Sequence, residues 1–181
     1  MKKILLITLL SMALLPAMAQ NQHQQHGQCG HNCGNCPHHQ QQAQKQQSKT
    51  INGMAAEIVN AFPTAKSVKK ETKWTVVYDA NKTVLGYAVY SKPASNSIKG
   101  YNGETPLMIA LSPKQKVMSV TMLDNQETPG FLTRVVNAGL LKSWDGMKAK
   151  KAAKKKVDTV SGATYSSRSI IQTLQAALKN L

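Results

Sequence analysis

Seven residues near the C-terminus, Asp158-Thr159-Val160-Ser161-Gly162-Ala163-Thr164, gather small hydroxylated side chains and one glycine just ahead of an apolar helical pattern. A helix start offers unpaired backbone N–H groups and the positive end of the helix dipole, which together make a seat for phosphate. Gly162 allows the backbone close to an anion, Ala163 adds almost no bulk, and Ser161, Thr164, Ser166 and Ser167 add hydroxyl donors. On hydroxyl spacing alone, a plain helix cap is the commoner explanation of such a cluster.

A second cluster lies far upstream. Cys29, Cys33 and Cys36, with His23, His26, His31, His38 and His39, hold every cysteine and histidine of the chain between residues 23 and 39. Thiolate and imidazole suit Zn²⁺ or Cu⁺, with Cys29, Cys33, Cys36, His31 and His38 as candidate ligands. The C-x3-C-x2-C spacing is that of radical-SAM iron–sulfur enzymes, but no barrel sequence follows. Pro37 breaks the C-x-x-C-H pattern of haem attachment. Adventitious metal capture by a His/Gln-rich tail, or oxidative cross-linking, competes with a specific site.

These residues must be carried by a chain of 181 residues, one ordinary domain with something extra. The extra is N-terminal. Lys2 and Lys3 precede a mostly apolar run, Ile4 to Leu15, and Ala17-Met18-Ala19 reads as a cleavage site, so residues 1–19 are expected to be a signal peptide of an exported, periplasmic or extracytoplasmic protein. An uncleaved membrane anchor is the weaker alternative, because a span needs about 20 apolar residues. Residues 20–49 are rich in Gln and His and contain no Leu, Ile, Val or Phe, which predicts a disordered tail.

From Ile51 the pattern becomes that of a folded domain, 51–181. Helical spacing of Ile51, Met54, Ile58 and Phe62 predicts a helix over 51–61, ended by Pro63. Two strand pairs follow, 74–79 with 84–90 and 106–111 with 117–123, then a loop over 124–130 and one or two short helices through Leu132 to Leu141. Ile170, Ile171, Leu174, Ala177, Leu178 and Leu181 mark one face of a C-terminal helix. The expected class is α+β, an antiparallel or mixed sheet of two strand pairs packed with N- and C-terminal helices.

Asp158 to Thr164 matches D-x-x-[ST]-G-A-T, and the chain resembles the FMN-binding domain family, which includes the flavin-carrying subunits of the Rnf complex and of the sodium-pumping NADH:quinone reductase. Gly100-Tyr101-Asn102-Gly103 resembles that family's G-Y-x-G, and Glu127-Thr128-Pro129-Gly130 its E-T-P-G loop; Phe62-Pro63 and Val84-Leu85-Gly86-Tyr87 look like its N-terminal landmarks. The resemblance spans roughly Ile51 to Leu181. Two positions depart from the pattern. Phe131-Leu132 stands where Leu-Gly is frequent, and Asn125 where His is frequent.

The resemblance implies FMN held covalently through a phosphoester to Thr164, attached by a flavin transferase that uses FAD and magnesium. It also implies flavin contacts from Asp158, Ser161, Gly162, Ala163, Glu127, Thr128, Pro129, Gly130 and Tyr101, and redox partners that are membrane-bound or extracytoplasmic. With no His in the folded part, activation of the threonine falls to the transferase. Tyr101 and Phe131 read as ring-packing residues or as ordinary core aromatics, and Glu127 as a flavin contact or as a loop-capping carboxylate. Electron transfer is expected rather than substrate turnover. The alternatives are noncovalent flavin binding on the same fold, or a Zn/Cu protein acting through its tail.

The formal net charge is +15, two less after loss of Lys2 and Lys3. Six lysines fall between Lys148 and Lys156, a solvated face or a device for steering anionic partners. Few aromatics interleave with the lysines, so nucleic acid ranks last among partners. Nothing in the sequence sets an oligomeric state.

Overall fold

The computed structural model describes residues 50, 51, 53–179 and 181. The expected signal peptide and disordered tail, with all of the candidate cysteine and histidine ligands, lie outside the described residues.

The centre of the domain is β6 (Leu107–Leu111), a run of five apolar residues all buried. Alternation of side chains sends Leu107, Ile109 and Leu111 into one core and Met108 and Ala110 into another. A continuous apolar strand is what a sheet covered on both faces requires. Around it lies a five-stranded antiparallel sheet, in order β3 (Ser67–Lys70), β4 (Thr75–Tyr78), β5 (Val84–Tyr90), β6, β7 (Val117–Met122). Both strand pairs expected from the sequence are present, and β5 pairs with β6 to join them.

β3 escapes the sequence pattern because all four of its residues are exposed and only Val68 is apolar. It pairs with β4 and carries Lys69 and Lys70, charge that discourages further strand addition at an edge. The first helix is also shorter than its spacing predicts. Residues 50–55 form a small hairpin of β1 (Thr50–Ile51) and β2 (Met54–Ala55) through Gly53 at φ +75°, and α1 covers only Ala56–Ala61. Met54, Ile58 and Phe62 still reach the same core, so the apolar spacing survives without a helix under all of it.

The opposite face is covered by α2 (Pro129–Asn137), a 3₁₀ turn at Leu140–Lys142, α3 (Ala149–Ala152) and the sixteen-residue α4 (Thr164–Lys179). Ile170, Ile171, Leu174, Ala177 and Leu178 are buried there with Trp144, as the periodicity predicts. No described helix is long and apolar enough to cross a membrane.

Gly86 on β5 sits where the Phe62 ring and the β6 backbone close over the strand. A Cβ there would lie 2.2 Å from the Leu111 carbonyl oxygen and 2.7 Å from the Phe62 ring. Gly86→Ala is therefore expected to lower stability by about 1–3 kcal/mol, the cost of overpacking, read as a lower urea midpoint at unchanged m-value.

Candidate functional site

The segment before α4 is irregular from Val157 to Ala163 and is braced by its own helix. Ser167 Oγ accepts a hydrogen bond from the Val160 N–H (3.0 Å) and donates to the Ala163 carbonyl (2.8 Å). Gly162 turns the chain at φ +73°, a left-handed conformation suited to glycine, and the Ala163 N–H closes the turn on the Val160 carbonyl (3.0 Å). Ala163 is buried, so the chain enters α4 with Thr164 on its first turn and exposed to solvent.

The sequence pattern predicts four hydroxyl donors facing outward here; the structure divides them. Ser161 and Thr164 are exposed, whereas Ser166 and Ser167 are buried and engaged within the protein. Their helical phase decides this, because positions 166 and 167 share the inner face with Ile170 and Leu174.

Ser166 leads to the E-T-P-G loop. Glu127 is buried at 4% exposure; its Oε2 accepts from Ser166 Oγ (2.6 Å) and its Oε1 from the Asn102 backbone N–H (2.9 Å). The Asn102 side chain adds a bond to the Gln126 carbonyl (2.7 Å). One carboxyl thus joins the 100–103 turn, the 124–128 loop and the first turn of α4. Gly100 makes room for it, since a Cβ there would come within 2.3 Å of Glu127 Oε1. Thr105 and Ser169, buried and hydrogen-bonded to each other through their hydroxyls, add a second tie between the strand entry and α4. Asn125 sets the approach of Glu127: it accepts from the Glu127 N–H (3.0 Å) and donates to the Leu123 carbonyl (2.9 Å). Of the two sequence-level readings of Glu127, the geometry is that of a loop-capping carboxylate with both oxygens occupied by protein.

Thr128 is the N-cap position of α2 but makes no side-chain cap bond, and Pro129 and Gly130 follow it, all three exposed. Tyr101 is 64% exposed and meets half-buried Phe131 edge to face, with ring centroids 5.2 Å apart. Asp158 is exposed on the lead-in to the turn.

Arg134, which motif reasoning missed, belongs to this site. It projects from α2 over the turn, and a Cβ built on Gly162 would lie 2.7 Å from its Nη1. Neither of the ion pairs among the described residues involves it. A signal was present in the composition: arginine occurs only at 134 and 168, and every other fixed cation in the chain is lysine. Arg168 lies four residues after Thr164 on α4, exposed on the same face. Arg134 therefore stands at the turn two residues before Thr164, and Arg168 one helical turn after it.

The FMN-binding domain family matches residues 100–179, the stretch that carries every element of this constellation. Among similar proteins, a subunit of the proton-translocating ferredoxin:NAD(+) oxidoreductase complex of Clostridium ljungdahlii is 24% identical over 146 residues, covering 77% of this chain and 76% of that protein. A subunit of the ion-translocating oxidoreductase complex of Haemophilus influenzae is 32% identical over 95 residues; the match covers 44% of either chain, less than half the length of that relative. Among solved structures, Shewanella oneidensis NqrC aligns with a TM-score of 0.39 and 16% identity over 71% of this chain and 79% of that one.

The donor set fits a phosphate-bearing flavin: a helix start, an exposed hydroxyl, a glycine turn and two arginines. Among the described residues no group of three His, Cys, Asp or Glu could hold a metal ion, and the tail ligands Cys29, Cys33, Cys36, His31 and His38 fall outside that set.

Removing the Glu127 carboxyl strands one hydroxyl and one backbone N–H. Glu127→Ala is expected to lower stability by about 3 kcal/mol, and Glu127→Gln by clearly less, because the amide can both accept from Asn102 and donate to Ser166. Chemical denaturation of both variants beside Thr164→Ala, whose exposed side chain should leave the midpoint unchanged, checks this.

Proposed function

We propose that this protein is an exported electron carrier holding FMN through a phosphoester to Thr164. The observation that carries the reading is the conjunction at one helix start of an exposed Thr164, the Gly162 turn and the Arg134 guanidinium, inside a segment that matches a flavinylation signature. The match of residues 100–179 to the FMN-binding domain family, and the place of similar proteins in oxidoreductase complexes, support it.

When bound, FMN supplies the redox chemistry, and this chain's residues hold and orient it. In the attachment step a flavin transferase, using FAD and magnesium, forms the bond between Thr164 Oγ and the FMN phosphorus. The pyrophosphate link of FAD breaks, AMP leaves, and the hydroxyl proton passes to a base of the transferase. No oxidation accompanies the step. A diester there would keep one negative charge beside the positive end of α4, and Arg134 and Arg168 are the residues that would hold it through charge-assisted hydrogen bonds. Glu127 acts as a positioning residue, keeping the 124–128 loop, and with it Thr128, Pro129 and Gly130, against the start of α4. Exposed Tyr101 offers a face for the isoalloxazine, and Asp158 a handle for recognition by the transferase.

Matured beside a flavin transferase, the protein is expected to gain the mass of FMN less water and to stay yellow after denaturation; Thr164→Ala should abolish both. A colour lost on denaturation, with unmodified Thr164, would establish noncovalent binding instead. Arg134→Ala should cut the flavinylated fraction about tenfold or more, with Arg134→Lys recovering part of it, in line with the weaker hold of a point charge on phosphate.

A further inference from the structure

The lysines between 148 and 156 are not a linear accident. Their segment folds back on the β6–β7 turn: Lys148 bridges Lys116, and the Ala149 N–H bonds the Gln115 carbonyl (2.9 Å). Lys114, Lys116, Lys148, Lys150, Lys151 and Lys154 are thereby brought to one surface, all exposed, while Ala149 and Ala152 are buried in the core and Ala153 packs against it. No ion pair among the described residues neutralises any of them.

Position and composition together say what this surface meets. Gln175 Nε2 donates to the Lys155 carbonyl (3.1 Å), which sets the patch against the C-terminal half of α4, about 16 Å along the axis from Thr164 at 1.5 Å per residue. It therefore stands apart from the site described above. The two segments that form it, 112–118 and 147–156, contain no arginine and no aromatic, the side chains that anchor protein interfaces, and Met118 is their one exposed large apolar side chain, whereas lysine is depleted from such interfaces. Lysine clusters of four to eight on one surface are what an anionic bilayer attracts.

We infer that the face formed by the β6–β7 turn and α3 is a docking surface for an anionic phospholipid bilayer. It would hold the domain at the membrane with the start of α4 displaced from the lipid and open to a redox partner. The inference is independent of whether Thr164 carries FMN.

The test is co-sedimentation of the full chain with vesicles of equal parts phosphatidylglycerol and phosphatidylcholine, against phosphatidylcholine alone. The neutral vesicles isolate any binding through the apolar residues 4–15. The triple variant Lys148→Glu, Lys151→Glu, Lys154→Glu should lose about a hundredfold or more in the phosphatidylglycerol-dependent affinity, since removing each lysine costs about fivefold and the reversed charge adds repulsion. A control with the same charge change, Lys66→Glu, Lys70→Glu, Lys82→Glu, should lose far less, and added salt should weaken parental binding. Equal losses in the two triples would reduce the effect to net charge and overturn the patch. Absence of phosphatidylglycerol-dependent binding by the parent, or patch-dependent retention on polyglutamate without it, would overturn the lipid assignment, the latter in favour of an acidic protein.

Discussion

The arrangement of the site depends on one buried carboxyl. Glu127 lies out of solvent in a position where an unpartnered polar group would be costly, and its hydrogen bonds to Ser166 and to the Asn102 backbone are what make that burial tolerable. Each partner belongs to a different segment, so the bonds also register the segments against one another. Gly100 is part of the same constraint, since any larger residue would occupy the space of the carboxyl. The G-Y-x-G, E-T-P-G and D-x-x-S-G-A-T stretches, separated by up to half the domain in sequence, meet at this point.

The sheet supplies the rigid support for that meeting. β6 is buried on both faces, so the strand pairs cannot slip without exposing one core or the other. α4 packs on that sheet through Ile170, Leu174 and Leu178; its first turn is buried on the inner side at Ser166 and Ser167 and exposed at Thr164. An exposed hydroxyl on a helix start braced by Ser166 and Ser167, with the Arg134 guanidinium brought to the preceding turn from α2, is open to solvent rather than enclosed.

Charge is apportioned between two kinds of cation. Arginine, whose planar fork matches phosphate oxygens, occurs only at the turn before Thr164 and one helical turn after it, and lysine, a hydrated point charge, covers the remaining surface. The edge strand β3 uses lysine to stay unpaired, and the α3 face gathers it into a patch. The same formal charge thus serves different ends according to where the fold deposits it.

Much of this was legible in the one-dimensional pattern. The strand pairs, the C-terminal helix and the α+β class followed from period and turn chemistry, because those signals are local. Other features left no such signal. β3 pairs through backbone alone and leaves no apolar trace, and the 50–55 hairpin preserves a helical spacing of core residues without being a helix. The inward turn of Ser166 and Ser167, the hold of Glu127 and the approach of Arg134 to Gly162 depend on how α2 and α4 cross the sheet. Residue type and spacing determined by themselves which groups were capable of chemistry; only tertiary packing decided which of them were spent on holding the fold and which were left facing solvent, since burial and partnership exist only between segments distant in the chain.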